Sequence, residues 1–209
     1  MRNTWAIAWK EIRGYFTSPV AYVVALIFVA LTGYFFVRSV DSILSGPNFP
    51  EASLRDTLRQ ISVFILPWLA PVLTMRLLAE EQKMGTIELL LTSPVRDWEV
   101  VLGKFIATMV FFLGALALTL WYVLMLAWRG NPEIGPLLSG YLGIILYGGA
   151  AISIGLLASS LTSNQIVAVV MGVGVLLLLT FIDLAADQVG GGLSTLLEEI
   201  GLRSHFDDF

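Results

Sequence analysis

The sequence predicts an all-α, polytopic membrane protein, and three observations carry that reading. Of the 209 residues, 57% are hydrophobic and 13% charged, whereas a soluble domain carries about 25% charged residues. Mean hydropathy is +0.83. Several apolar runs approach the roughly 20 residues a helix needs to cross a hydrocarbon core about 30 Å thick. The period-2 alternation of an outer-membrane barrel is absent.

The first element is an interfacial helix within residues 1–18. Trp5, Ile7, Ala8, Ile12 and Tyr15 gather toward one side, while Lys10, Glu11 and Arg13 stay wet. Trp5 and Trp9 suit the headgroup zone. A cleavable signal is not expected, because the first apolar run (19–37) is long enough to span and no short apolar region precedes it.

Five spans follow, at about 19–37, 61–78, 100–128, 137–161 and 166–185. The second contains Pro67 and Pro71. Each lacks a backbone donor and leaves an opposing carbonyl free, so a neighbouring helix or water must satisfy it. The resulting kink is either a point of flexure or a static bend. In the fourth span Ala151, Gly155 and Ser159 repeat at i+4 and form a close-packing seam. That seam serves packing within the chain, a partner chain or a translocation path. Phe111, Phe112, Trp121, Tyr122 and Tyr147 suit an amphiphilic cargo or plain lipid-facing packing. Lys104 and Arg76 stand near span ends, where long side chains snorkel to water. The spans otherwise hold almost no charge, which argues against ion antiport or proton pumping.

A cytoplasmic N-terminus puts seven basic residues inside (Arg2, Lys10, Arg13, Arg76, Lys83, Arg96, Lys104) and five outside (Arg38, Arg55, Arg59, Arg129, Arg203). The bias has the sign of the positive-inside rule. The acidic segment 186–209 then lies outside.

Between the second and third spans runs a polar segment, EEQKMGTIELLLTSPVRDW, bounded as 80–98. Gly85 breaks the helix leaving span two. Thr86 is placed to cap a short new helix with Glu88 in its first turn, near the positive end of the dipole. Ile87, Leu90 and Leu91 fall on one face, and Ser93-Pro94 stops the helix. The segment reads as a stiff lever on the cytoplasmic side, or as an ordinary interfacial connector.

No cysteine is present, which removes disulfides and thiolate chemistry. The single histidine, His205, cannot build a His-rich metal site. The formal charge of −4, without a basic stripe, argues against nucleic acid as a partner. The sequence contains no GxxxxGK[ST], HExxH or GxSxG motif. Matched broken helices in two halves, the mark of inverted-repeat transporters, are also missing.

Glu80, Glu81, Gly85, Thr86, Glu88, Leu90, Leu91 and Pro94, followed by Gly103 and Lys104, resemble a recurrent pattern of the type-2 ABC exporter permeases, the ABC-2 family. WKEIRGYFTSPVAYV (9–23) is similar to that family's elbow helix and first span. SSLTSNQIVA (159–168) is similar to its second cytoplasmic turn, here Ser160, Thr162, Asn164 and Gln165. Within the family the resemblance is to the gliding-motility and nitrous-oxide-reductase-maturation branch.

The resemblance implies an ABC-2 permease-like helical bundle in a bacterial-type inner membrane. It implies two copies of a separate ATPase subunit, which would bind ATP and Mg, so the chain itself is expected to be no enzyme and to hold no cofactor. A second permease, copy or paralogue, would complete the unit, with room for an extracytoplasmic accessory subunit. Glu81, Gly85, Thr86, Glu88, Leu90, Leu91, Ser93 and Pro94 would form the coupling helix. The family has six spans, so a sixth is expected after 186–209 and is absent from this sequence.

Two other readings stand beside this one. One is an ABC-like anchor that drives an extracytoplasmic partner without moving a solute. The other is a membrane enzyme, for which Asp183, Asp187 and His205 are the only visible polar candidates.

Overall fold

The computed structural model describes residues 2–45, 54–86, 95–129 and 134–186. Helix α1 spans Arg2–Thr17, and Ser18 alone separates it from α2, Pro19–Ser45. The second span is built in pieces: α3 (Leu54–Gln60), a π-helical turn (Ile61–Ile65), α4 (Leu66–Thr74) and α5 (Ala79–Lys83). Three long helices follow among the described residues: α6 (Asp97–Arg129), α7 (Ile134–Ser160) and α8 (Gln165–Ala186). Among the described residues, five stretches are long and apolar enough to cross a membrane: Pro19–Asp41, Thr57–Lys83, Asp97–Trp128, Gly135–Ser160 and Gln165–Ile182.

The second span is the central one. Two thirds of its most apolar window is buried, against 17% for the first span and 28% for the third and fifth. Its neighbours close on it through small residues. Gly155 of α7 leaves room for the side chain of Thr74 and the carbonyl of Ala70. Gly172 of α8 lies against Pro71, where an added Cβ would sit 3.0 Å from the proline ring. Buried Ala151 and Ser159 continue the α7 line. The seam read from the sequence therefore packs within the chain, against α4. Close backbone approach of this kind replaces the hydrophobic drive that lipid does not supply.

Three expectations need correction. Span two begins earlier than residue 61, because α3 and the π turn join it on to α4. Its break lies at Met75–Leu78, not at a proline: Pro67 follows on the π turn, where the ladder already departs from α spacing with the Leu66 N–H on the Ile61 carbonyl, and Pro71 stays inside α4. Of the five aromatics, Phe111, Phe112 and Tyr147 are buried in the core and so do not face lipid, while Trp121 is exposed.

The interfacial helix differs in its face. Thr4, Ala8, Ile12 and Tyr15 are the buried line, following helical spacing. Trp5 is 61% exposed and stacks on Trp9, with ring centroids 6.4 Å apart. The two indoles form the adjacent, outward stripe. The segments 87–94 and 187–209 lie outside the described residues.

Candidate functional site

At the N-terminal end of the bundle, the break in span two is held open by side chains from other helices. In a continuous helix the Ala79 N–H would bond the Met75 carbonyl. Here the Ser159 hydroxyl stands between them, donating to the Met75 carbonyl (3.0 Å) and accepting from the N–H groups of Ala79 (3.1 Å) and Leu78 (3.2 Å). One inserted side chain thus interrupts the ladder, a recognised cause of a sharp bend.

A second hydroxyl works two residues earlier. Leu77 N–H turns to the Thr74 carbonyl at 3.1 Å, and the Leu73 carbonyl accepts from Tyr15 Oη at 2.8 Å. Tyr15 also shares a hydrogen bond with Thr108 of α6 at 3.1 Å. Burial pushes its phenol up to about 12, against a smaller lowering by the Thr108 hydrogen bond.

Below the break, α5 carries Glu81 toward Lys104. The ammonium lies 2.8 Å from Glu81 Oε1 and 3.1 Å from Glu11 Oε1, and the Lys104 side chain is only 2% exposed. Lys104 therefore does not snorkel. Helix α1 lies over the start of α6 and closes the route to water, so two carboxylates come to the cation instead. Gly103 permits this closeness: a Cβ there would meet Ile7 at 2.9 Å and the Thr4 carbonyl at 3.0 Å. The Gly-Lys pair is thus one device, a gap for the elbow followed by a charge for its glutamate. Glu81 Oε2 is buried without a hydrogen-bond partner. At the same end, Glu99 reaches back to the Arg96 N–H at 3.2 Å, closing the first turn of α6 as half of a capping box.

Of the residues assigned to the lever, Gly85 has φ +70, the left-handed region that glycine enters without a steric penalty. It ends α5, as read. Thr86 donates its hydroxyl to the Glu81 carbonyl at 3.3 Å. Glu81 points inward to Lys104. Glu88, Leu90, Leu91, Ser93 and Pro94 lie outside the described residues. The second turn is joined to the lever. Gln82 donates to the Ser160 carbonyl at 2.6 Å, and Gln165 to Glu80 at 3.3 Å. Asn164 caps α8 by accepting from the Ile166 N–H at 2.9 Å, and Thr162 accepts from the Asn164 N–H at 3.1 Å. Asp183 falls in α8, while Asp187 and His205 lie outside the described residues.

Sequence reasoning put Tyr15 on the apolar side of the interfacial helix and Glu11 on its wet side, whereas Glu11 turns to the buried Lys104; it read Ser159 only as a seam residue. The i+4 spacing of the seam was the one available signal for Ser159. Nothing local pointed to the partners of Tyr15 or Glu11.

A family model described as "ABC-2 family transporter protein" matches residues 5–203. A relative described as "Probable multidrug ABC transporter permease YbhR", from Escherichia coli K12, is 31% identical over 103 residues, covering 45% of this chain and 25% of the relative. The same-named protein of Escherichia coli O157:H7 matches to the same extent. The matched stretch is thus a quarter of the length of these curated relatives.

Proposed function

The chain belongs to the ABC-2 transporter family, and from that premise we propose that it is the membrane-spanning permease subunit of an ATP-binding cassette transporter, pressed at 80–98 by a separate ATPase subunit. The observation that carries the reading is the buried Lys104, which joins the lever to the elbow helix and to span three through Glu81 and Glu11. A displacement of α5 cannot leave α1 and α6 behind without stranding a buried charge, which costs several kcal/mol, about 3–5. Gln82 and Gln165 extend the linkage to the turn between α7 and α8. The break at Met75–Leu78 sits where such a motion would be absorbed, since hinges are a few residues at element ends.

ATP and Mg would be held by the partner ATPase, present in two copies, and a second permease would complete the complex. The N-terminus would face the cytoplasm across an inner membrane. Membership of the gliding-motility and nitrous-oxide-reductase-maturation branch rests on the overall resemblance of the sequence alone. The relatives' name speaks of multidrug transport, and an amphiphilic cargo is in keeping with it.

The test is a tagged purification from native membranes in mild detergent, followed by mass spectrometry. An ATP-binding subunit in about one-to-one ratio with the chain supports the reading; its absence, under conditions that hold other ABC complexes together, removes it. Gly85→Pro then addresses the lever. Proline fixes φ near −65°, incompatible with φ +70. Membrane insertion is expected to stay normal and transport-linked ATP hydrolysis to vanish. Wild-type stimulated hydrolysis in that variant would remove the coupling role from this segment.

A further inference from the structure

Between α1, the broken second span and α6 lies a cavity of about 530 Å³, within the range of small-ligand sites. Three cations, Lys10, Arg76 and Lys104, and three carboxylates, Glu11, Glu80 and Glu81, line it. These groups are not equally engaged. Glu11 and Glu81 both serve Lys104. Glu80 accepts from Gln165 through one oxygen, Oε2. Arg76 is half-buried, and its hydrogen bond is to Ser18 Oγ at 2.9 Å, a neutral acceptor. Among the described residues neither Arg76 nor Lys10 has a carboxylate within ion-pair distance, so two cations face the cavity without a counter-charge.

The depth of the cavity narrows the choice of occupant. Ser18 is the joint between α1 and the first residue of span one. Phe16 and Tyr22, within four residues of it, are exposed, as aromatic residues are at the headgroup level. A guanidinium fork beside a lysine point charge matches phosphate oxygens. The lining as a whole is neutral, three charges against three, so a group carrying only negative charge would leave the filled cavity with a net negative charge. A phosphate that brings its own ammonium would not.

We infer that this cavity holds the phosphoethanolamine headgroup of a membrane phospholipid, its phosphate on Arg76 and Lys10 and its ammonium toward Glu80. The site is independent of the transport reading, since it requires only the membrane and the residues just named.

The test uses the whole chain in nanodiscs of equimolar phosphatidylethanolamine and phosphatidylglycerol. After detergent extraction, the lipid still bound is quantified by mass spectrometry. Wild type is expected to retain phosphatidylethanolamine several-fold over phosphatidylglycerol. Arg76→Gln is expected to lower that retention by about tenfold, the loss of one charge-assisted hydrogen bond. Lys10→Gln, at an exposed position, is expected to lower it less and to fold normally, so it carries the test if Arg76→Gln does not fold. Lys83→Gln, outside the cavity, should change nothing. Equal retention of the two lipids, a preference for phosphatidylglycerol, or retention unaffected by Lys10→Gln and by a folded Arg76→Gln overturns the assignment. A thermal shift with millimolar inorganic phosphate as large as that with phosphatidylethanolamine also overturns it, since the site would then serve soluble phosphate.

Discussion

Replacing Lys104 with methionine removes the cation and keeps the shape of the side chain. The two carboxylates that remain face one another around a site that was 2% exposed. Removing one partner of a fully buried ion pair costs about 3–5 kcal/mol. Glu11 and Glu81 each keep 19% of their side-chain surface in water, and this screening trims the figure to about 3 kcal/mol. That is a large share of a total stability of about 5–15 kcal/mol. The measurement is reversible unfolding in mixed micelles, followed by the fluorescence of the chain's six tryptophans. A triple variant, Lys104→Met with Glu11→Gln and Glu81→Gln, removes all three charges and is expected to return to within about 1 kcal/mol of wild type. If the triad also transmits motion, the triple variant recovers stability but not ATPase-coupled transport. A Lys104→Met protein within about 0.5 kcal/mol of wild type, the range of an ordinary surface change, would refute the closed triad. So would a triple variant no more stable than the single one.

Ser159→Ala strips the break of its bridging hydroxyl and is expected to cost about 1–3 kcal/mol, with faster amide exchange at Leu78 and Ala79; unchanged exchange would show the hydroxyl to be idle. Gly155→Ala presses a methyl group on to Thr74 and is expected to cost about 1–3 kcal/mol, while Gly174→Ala, with nothing within 4 Å, should be neutral or better; equal thermal melts of the two variants would contradict the seam. The Tyr15 phenol, raised from 10.0 to about 12, is protonated in folded and unfolded chains alike below pH 10. Above that only the unfolded chain ionises readily, so stability falls by about 2–3 kcal/mol as pH climbs from 10 to 12. Melting curves of Tyr15→Phe should lose that slope; parallel pH profiles would rule the phenol out as its source.

The long helices were legible because lipid leaves a chain few ways to satisfy its backbone. Apolar runs of spanning length could hardly be anything else, and the chain proved a multi-pass helical bundle. Gly85 was legible too, as the one residue in the segment 80–86 free to enter the left-handed region. The break at Met75–Leu78 was not. Methionine, arginine and leucine are all good helix formers, and the two prolines nearby drew attention to the wrong turn. What interrupts the helix arrives from α1 and α7, and only the fold brings it there. Lys104 illustrates the same limit. Its distance from the end of the apolar run was visible, but the helix that lies over it and the glutamate that reaches it are 93 residues away in the chain.

A bend written by proline is present in every conformation the helix visits, because the missing N–H cannot be restored. The bend in span two is of another kind. Every residue from Met75 to Ala79 keeps its N–H and its carbonyl, and the Ser159 hydroxyl merely occupies the gap between Met75 and Ala79. Slide α7 along its axis until that hydroxyl leaves, and Ala79 and Met75 become ordinary partners again, as do Leu78 and Thr74. The corner is therefore conditional: it lasts as long as Ser159 of α7 and Tyr15 of α1 stay in register, and straightening needs no change of sequence and no isomerisation.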